Sequence, residues 1–241
     1  MITSRKVLLP FLLALYCASS FGMPVVTIGV DDHEINLAAK VEYYREESGR
    51  LGLNQIRQLP ADVWQQAQDN ELNFGFTKAN YWFRVQLHNR STQNRMMLLR
   101  GGYASFDRIE AFQVQDGQID ISRTGAKVPS AEKPLKHRYP LLPIELEGNQ
   151  TTDLYLKASN SGAFFLPLDL LDWQTFLAVD SEELIKSGAY FGIWLIVIAC
   201  NLLLYLVLHH VSLLSFATFV FTLGLYQLST YGLGSNFIAA M

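Results

Sequence analysis

The longest apolar stretch of the chain lies at its C-terminal end. Residues 187–241 contain no Lys, Arg, Asp or Glu. Within this stretch, residues 188–208 and 213–231 are each apolar over about 20 positions, the length that an α-helix needs to cross the hydrocarbon core of a bilayer. The alternative is a helical pair buried in a soluble core, but such helices keep a polar face and neither segment has a charged one. The pattern therefore predicts a transmembrane hairpin that turns at residues 209–212.

Upstream of this hairpin, apolar residues come in short runs separated by polar ones. The clearest run is residues 81–88, in which Tyr, Phe, Val and Leu alternate with Trp, Arg, Gln and His. Period-two alternation predicts a strand with one buried and one wetter face. The dipeptide Asp116-Gly117 lies between two further alternating segments and predicts a hairpin. Strands are also predicted at residues 24–30, 41–46, 96–100, 108–115, 118–123, 144–146, 152–158 and 164–171.

The number and spacing of these strands predict the fold class. Roughly seven to nine short strands with turn residues between them favour a mainly β domain, either a sandwich or a barrel. Pro167 cannot donate to a strand ladder, so we expect the strand at residues 164–171 to lie at a sheet edge. Residues 128–143 hold four prolines and are expected to form a long surface loop.

The pattern becomes helical at Trp173, just before the first span. Asp180 and the acids after it offer a helix N-cap and a favourable first turn. We expect a juxtamembrane helix over residues 173–187 that continues into the span without a Gly/Ser-rich linker. A stiff joint of this kind transmits a rotation or a shift that a flexible linker would average out. The alternative is that the short connection carries no signal.

The N-terminal 22 residues have the features of a secretory signal peptide. Two basic residues precede the apolar run 7–18, and Ser20 and Gly22 suit the positions before a cleavage site. The run is short for a membrane span, although an uncleaved anchor is the alternative. We therefore expect residues 23–172 to form an exported domain held at a membrane by the helical hairpin.

Charge and composition exclude several classes of function. The chain has 19 Lys and Arg against 22 Asp and Glu, and it lacks the basic stripe expected of a nucleic-acid-binding protein. Its two cysteines, Cys17 and Cys200, lie in the predicted signal peptide and the first span, so we expect no disulfide. Residues 31–34, Asp-Asp-His-Glu, favour a solvated loop over a metal site, because neighbours on an extended chain point to opposite faces. No catalytic motif is present, so we expect no enzyme activity, no cofactor and no metal.

Several motifs together resemble those of a known receptor family. They are N-F-G-F-T at 73–77, Y-W-F-R at 81–84, L-H-N at 87–89, F-D-R-I-E at 106–110, the segment 125–129 before a basic proline-containing loop, G-A-Y-F-G at 188–192 and N-L-L-L at 201–204. In this order and spacing, the chain is similar to the type 2 extracellular domain of the bacterial seven-transmembrane receptors with diverse intracellular signalling modules.

The resemblance implies a jelly-roll-like β-sandwich, akin to carbohydrate-binding modules, followed by seven membrane helices and a cytoplasmic kinase or cyclase. The given sequence departs from that plan after its second span. Residues 232–241 are expected to be a truncated end, or the start of a third span.

Six residues are candidates for ligand contact. Trp82 and Arg84 share a strand face, where an indole stacks on sugar rings and a guanidinium donates to hydroxyls or carboxylates. The alternative is structural, with Trp82 packed under a loop and Arg84 in an ion pair. Four loop residues complete the set, although lone aromatic residues usually belong to a core: Tyr103, Phe106, Arg138 and Tyr139.

We therefore expect the ligand-sensing input portion of a transmembrane receptor. Its expected partners are the lipid bilayer, a saccharide or other small periplasmic ligand, and a second copy of the chain or a related receptor. The alternative is a membrane-anchored accessory protein whose β-sandwich binds another protein.

Overall fold

The computed structural model describes residues 22–67 and 71–230, which form thirteen strands and three α-helices. The strands are β1 (Val25–Ile28), β2 (Glu34–Asn36), β3 (Glu42–Glu46), β4 (Gln65–Gln66), β5 (Leu72–Phe76), β6 (Asn80–Asn89), β7 (Arg95–Gly101), β8 (Arg108–Gln115), β9 (Gln118–Thr124), β10 (Leu141–Leu146), β11 (Thr151–Ser159), β12 (Ala163–Leu166) and β13 (Leu168–Leu171). The helices are α1 (Leu53–Arg57), α2 (Trp173–Leu208) and α3 (Val211–Thr230).

The strands form two larger sheets and a two-stranded ribbon. Sheet A has the order β4-β3-β6-β11-β8-β9, and β1 pairs in parallel with the second half of β6. Sheet B has the order β10-β7-β13-β2. The ribbon pairs β12 with β5. The fold is therefore mainly β before the two long helices, as the sequence predicted. The jelly-roll connectivity implied by the resemblance stays a prediction.

Sheets A and B enclose one hydrophobic core. Phe83, Val85 and Leu87 point into it from β6, while Met97 and Leu99 point into it from β7. The alternation predicted for residues 81–88 is confirmed, because the other set of side chains in β6 lies on the opposite face of sheet A. The buried strand faces hold the two layers together through the hydrophobic effect.

The outer face of sheet A is covered by the chain between β3 and β4. Leu53 and Ile56 of α1, together with Trp64, pack against Trp82 and Phe112 of the sheet. The five-residue helix α1 is too short to produce a periodic signal in the sequence. This second apolar cluster gives sheet A a covering layer on the side away from the main core.

The sheet edges differ from the sequence prediction, and the positions of two prolines explain the difference. Pro167 does not mark an edge strand but divides residues 163–171 into β12 and β13, and β13 lies between β7 and β2 inside sheet B. The edges of sheet B are β2 and β10, and β10 contains Pro143. The rule that proline avoids central ladders holds, but the predicted loop at residues 128–143 ends three residues earlier, where β10 begins.

The juxtamembrane segment and the first predicted span form one uninterrupted helix of 36 residues, α2. Asp172, rather than Asp180, is the N-cap of this helix, and its Oδ1 accepts a hydrogen bond from the Thr175 N–H at 2.7 Å. The predicted N-cap was wrong because the helix begins a full two turns earlier, immediately after the last strand of sheet B.

Helices α2 and α3 are long and apolar enough to cross a membrane. In the most apolar window of each helix, 0% and 11% of the residues are buried. This exposure disfavours the alternative of a soluble helical core, in which such residues would be buried. The turn between the helices is shorter than predicted, with His209 in the left-handed conformation at φ 55°.

The two long helices contact each other through a large residue on one and a small residue on the other. The Trp194 indole N–H donates to the Val220 carbonyl at 2.8 Å. A Cβ added at Gly224 would lie 1.9 Å from the Trp194 ring, so the close approach requires glycine at this position. The predicted signal peptide, apart from Gly22, and the predicted terminal segment 232–241 lie outside the described residues.

Candidate functional site

Three of the six candidate residues are buried, and two of them, Trp82 and Phe106, lie in apolar clusters of the β-domain. Trp82 is 0% exposed in the cluster under α1, and Phe106 is 0% exposed in the main core. Neither ring offers a face to a ligand in this structure. The structural alternative describes Trp82 better, because the segment containing α1 and Trp64 covers it.

Arg84 forms a structural ion pair on the outer face of sheet A. Its Nε donates to Glu42 Oε2 at 2.7 Å, and both side chains are nearly buried, at 11% and 7% exposure. The guanidinium lies over the Trp64 ring at 4.3 Å, a cation–π contact. Arg84 therefore matches the structural alternative given for it, an ion pair, and it connects the covering segment to sheet A.

Tyr103 holds a loop at one end of the domain. Its hydroxyl donates to the Ala163 carbonyl at 2.8 Å and accepts from the Asn160 side chain at 2.7 Å. Asn160 in turn accepts from the Asp107 N–H at 3.1 Å. Both hydrogen-bonding roles of the phenol are thereby used within the protein, which favours a structural role for Tyr103.

Arg138 and Tyr139 lie at the junction between the β-domain and α2. The Arg138 guanidinium contacts Asp180 at 2.7 Å and Glu183 at 3.3 Å, and its side chain is 6% exposed. The contact with Asp180 is an ion pair rather than a well-aligned hydrogen bond. Arg138 also lies 4.9 Å from the Tyr139 ring centroid. These two loop residues therefore face the membrane helix.

A second arginine joins sheet B to the same helix. Arg100 of β7 contacts Asp169 of β13 at 3.1 Å and Glu183 of α2 at 3.2 Å. Glu183 is thus shared by two arginines, one from the sheet and one from the loop before β10. We name the set Arg100, Arg138, Asp169, Asp180 and Glu183 the junction cluster.

The apolar side of the junction lies directly beneath these charges. Phe176 of α2 packs with Leu98, Leu141 and Leu171 on the outer face of sheet B. The start of α2 therefore rests on sheet B through an apolar patch, and ion pairs at Asp180 and Glu183 hold it one to two turns further along.

Two histidines flank the junction. His137 contacts Asp180 at 3.2 Å, and its ring lies edge-on to Phe176 at 5.2 Å. Burial lowers the pKa of His137, and the Asp180 carboxylate offsets this only in part, so the net pKa is below 6.5. His33 contacts the N-cap carboxylate Asp172 at 2.6 Å. Burial raises the pKa of Asp172, but its hydrogen bonds from Thr175 and His33 outweigh that effect and lower it.

The sequence offered only partial signals for the junction cluster. Asp180 and Glu183 stood out as helix-start residues, and Arg138 as a loop cation, but nothing local indicated that they meet. Arg100 ends an apolar strand and carried no signal of its own. The pairing depends on contacts across 45 and 83 positions of sequence, which no periodicity describes.

Several open clefts among the described residues have the size of a small ligand, and two of them have volumes of about 500 Å³ or more. The first, about 590 Å³, lies at the β3–β4 edge of sheet A and is lined by Tyr43, Gln65, Gln66, Ala67, Glu71, Leu72, Asn73 and Phe74. The second, about 500 Å³, lies between β8, β9 and β10 and is lined by Gln113, Gln115, Asp116, Gln118, Ile119, Asp120, Glu145 and Glu147. Only the first combines aromatic rings with side-chain amides, so we name it the aromatic cleft and the second the polar cleft.

Metal chemistry finds no support in the described residues. Within residues 22–67 and 71–230, no group of three or more His, Cys, Asp or Glu side chains converges on one point. Residues 31–34 instead make separate contacts: Asp32 accepts from the Gly29 N–H at 2.7 Å, and His33 contacts Asp172 at 2.6 Å.

The last strand of the β-domain leads directly into the first of two helices that are long and apolar enough to cross a membrane. The family model described as 7TMR-DISM extracellular 2 matches residues 38–172, which is more than half of the chain. The chain therefore belongs to this family of extracellular receptor domains, with its β-domain outside the membrane. A comparison with curated proteins finds no match.

Proposed function

We propose that this chain senses a small molecule or a glycan outside the bacterial inner membrane and transmits binding to its membrane helices. The junction cluster is the main support for this proposal. Arg100 and Arg138 of the β-domain form ion pairs with α2, and α2 continues into the predicted membrane span without a break. A shift of β7 or of the loop before β10 would move the charges that hold α2. Helix movements of this kind are an established way of passing signals between parts of a protein.

The aromatic cleft is the proposed binding site. The rings of Tyr43 and Phe74 lie 4.9 Å apart at its wall, and the amides of Gln65 and Asn73 reach the same space. Aromatic faces and amide groups suit the apolar faces and hydroxyls of a sugar ring. The polar cleft lacks an aromatic surface and is the less suitable of the two.

Binding is tested with the full chain in lipid nanodiscs and a panel of mono- and disaccharides, using isothermal titration calorimetry. We expect at least one saccharide to bind, and Tyr43→Ala to weaken its affinity at least tenfold. Gln118→Ala, in the polar cleft, is the matched control and is expected to leave the affinity unchanged. If Gln118→Ala loses binding and Tyr43→Ala does not, the binding site is the polar cleft rather than the aromatic cleft. If no saccharide binds, a protein partner is favoured.

Transmission is tested separately, by hydrogen exchange of residues 173–186 with and without the bound saccharide. We expect binding to change the exchange rate of this segment in the native chain but not in Arg138→Met. Saccharide binding with unchanged exchange in both proteins would show a binding module without coupling.

A further inference from the structure

The β-domain has two ends, and the direction of α2 identifies which one faces the membrane. Helix α2 begins two residues after Leu171, the last residue of β13, which pairs with Leu98 in β7. Further along, Glu183 contacts Arg100 in the same strand. Helix α2 therefore advances in the direction in which β7 runs, toward Gly101, before it enters the bilayer.

We name the end of the domain beyond Gly101 the proximal end. It includes the start of β6 at Asn80, the start of β12 at Ala163 and the Tyr103 loop. These parts are tied together, because Ala163 pairs with Phe76 and its carbonyl accepts from Tyr103 at 2.8 Å. The last residue of β5, Phe76, therefore lies at the proximal end.

The lengths of the elements bring this end to the level of the bilayer surface. Gly188, the first residue of the predicted span, lies five positions after Glu183, which is about 7.5 Å along a helix. Ala163 lies six positions before Asp169, the partner of Arg100, with the break at Pro167 between them, and six residues of extended chain span at most about 20 Å. This reach exceeds the length of helix between Glu183 and Gly188, about 7.5 Å, so it allows Phe76 to lie at the depth at which α2 enters lipid.

Phe76 has the exposure expected of a residue that contacts something outside the domain. Its side chain is 88% exposed, whereas Phe74 of the same strand is partly buried against the core. Gly75, between them, has φ 65°, so the backbone turns just before Phe76. Lys78 follows two residues later and is also exposed. An aromatic ring beside a lysine suits the interface of a bilayer, where the ring enters the headgroup layer and the ammonium meets lipid phosphates.

We propose that the proximal end of the β-domain rests on the outer surface of the bilayer, with Phe76 in the headgroup layer and Lys78 on lipid phosphates. The domain then has two attachments to the membrane, the helix α2 and this tip. A domain held at two points can tilt only by moving one attachment relative to the other. The contact does not depend on the proposed saccharide or on its cleft.

The test is site-directed spin labelling of the full chain in nanodiscs, with Cys17 and Cys200 replaced by serine. One label is placed with Phe76→Cys, and the matched control is placed with Val30→Cys. Val30 is also strongly exposed, at 66%, but it lies at the far end of the domain, after β1. A label through Lys78→Cys provides a second reading at the proximal end.

The measurement is collision of each label with a water-soluble nickel chelate and with oxygen, which partitions into lipid. In nanodiscs, relative to detergent, we expect the label at position 76 to lose several-fold in nickel accessibility and to gain in oxygen accessibility. The label at position 30 should change little. The shift at position 76, measured in the variant that retains Lys78, should be larger in phosphatidylglycerol-containing discs than in pure phosphatidylcholine discs. Equal accessibility of the labels at positions 30, 76 and 78 to the nickel chelate would overturn the proposal.

Discussion

The outer faces of sheets A and B are both covered, but by different kinds of contact. Sheet A is covered by the segment between β3 and β4, which carries Trp64 and packs on the fully buried Trp82. Sheet B is covered by the start of a membrane helix, held by a small apolar patch and by the junction cluster. Apolar burial is strong and insensitive to conditions, whereas partly exposed ion pairs are weaker and respond to pH and salt. The first face is therefore suited to holding the fold, and the second to being moved.

Removing Trp82 should have the largest effect. Trp82→Ala leaves a large cavity under α1, and we expect it to lower the free energy of unfolding by about 3–5 kcal/mol. Hydrogen exchange should rise first in residues 51–66, which lose their packing surface. The control Val30→Ala, at an exposed position, should change little. Unchanged stability of Trp82→Ala would mean that the cover on sheet A is not structural.

We expect the second largest effect from breaking the Arg84–Glu42 ion pair on the outer face of sheet A. Arg84→Met leaves Glu42 nearly buried without its partner, and we expect a loss of about 3 kcal/mol in the free energy of unfolding. The double variant Arg84→Met with Glu42→Gln should recover part of this loss, because no charge is then left buried. Chemical denaturation of the three proteins tests the coupling. Additive losses would show that the two residues act independently.

Removing Arg138 should have a smaller and more local effect. Arg138→Met removes an ion-pair partner of both the Asp180 and the Glu183 carboxylates. We expect it to lower the free energy of unfolding by about 1–3 kcal/mol. The exchange rate of residues 173–183 should rise while that of residues 51–66 stays the same. A rise in both segments would contradict the distinction between the two faces.

The smallest expected effect is that of pH on the junction. The folded protein holds the pKa of His137 below its ordinary value of 6.5 through burial. In the window between that lowered pKa and 6.5, the unfolded chain binds more protons, so stability rises with pH and falls on acidification. We expect exchange in residues 173–183 to increase as the pH is lowered through this window, and His137→Asn to remove the dependence. Tighter protection on acidification, as a protonated His137 paired with Asp180 would give, contradicts this prediction.

The sequence alone identified the membrane hairpin, the mainly β domain before it and the stiff connection between them. These properties are local, because an uncharged run, period-two alternation and the absence of a linker can each be read from neighbouring residues. The sequence also separated the two faces of β6, but it did not decide which of them a ligand could reach. Trp82 and Arg84 read as an exposed pair because α1 and Trp64, which cover them, are distant in sequence and too short to be periodic.

Only the tertiary structure decided which residues of the β-domain contact α2. Asp180 has the sequence features of an N-cap, but the helix begins at Asp172 and Asp180 instead pairs with Arg138. Arg100 and Glu183 meet because β7 and α2 lie side by side, which depends on the packing of Phe176 against sheet B. Side-chain pairing across long sequence separations follows from how layers pack, and packing is a property of the whole chain rather than of any one segment.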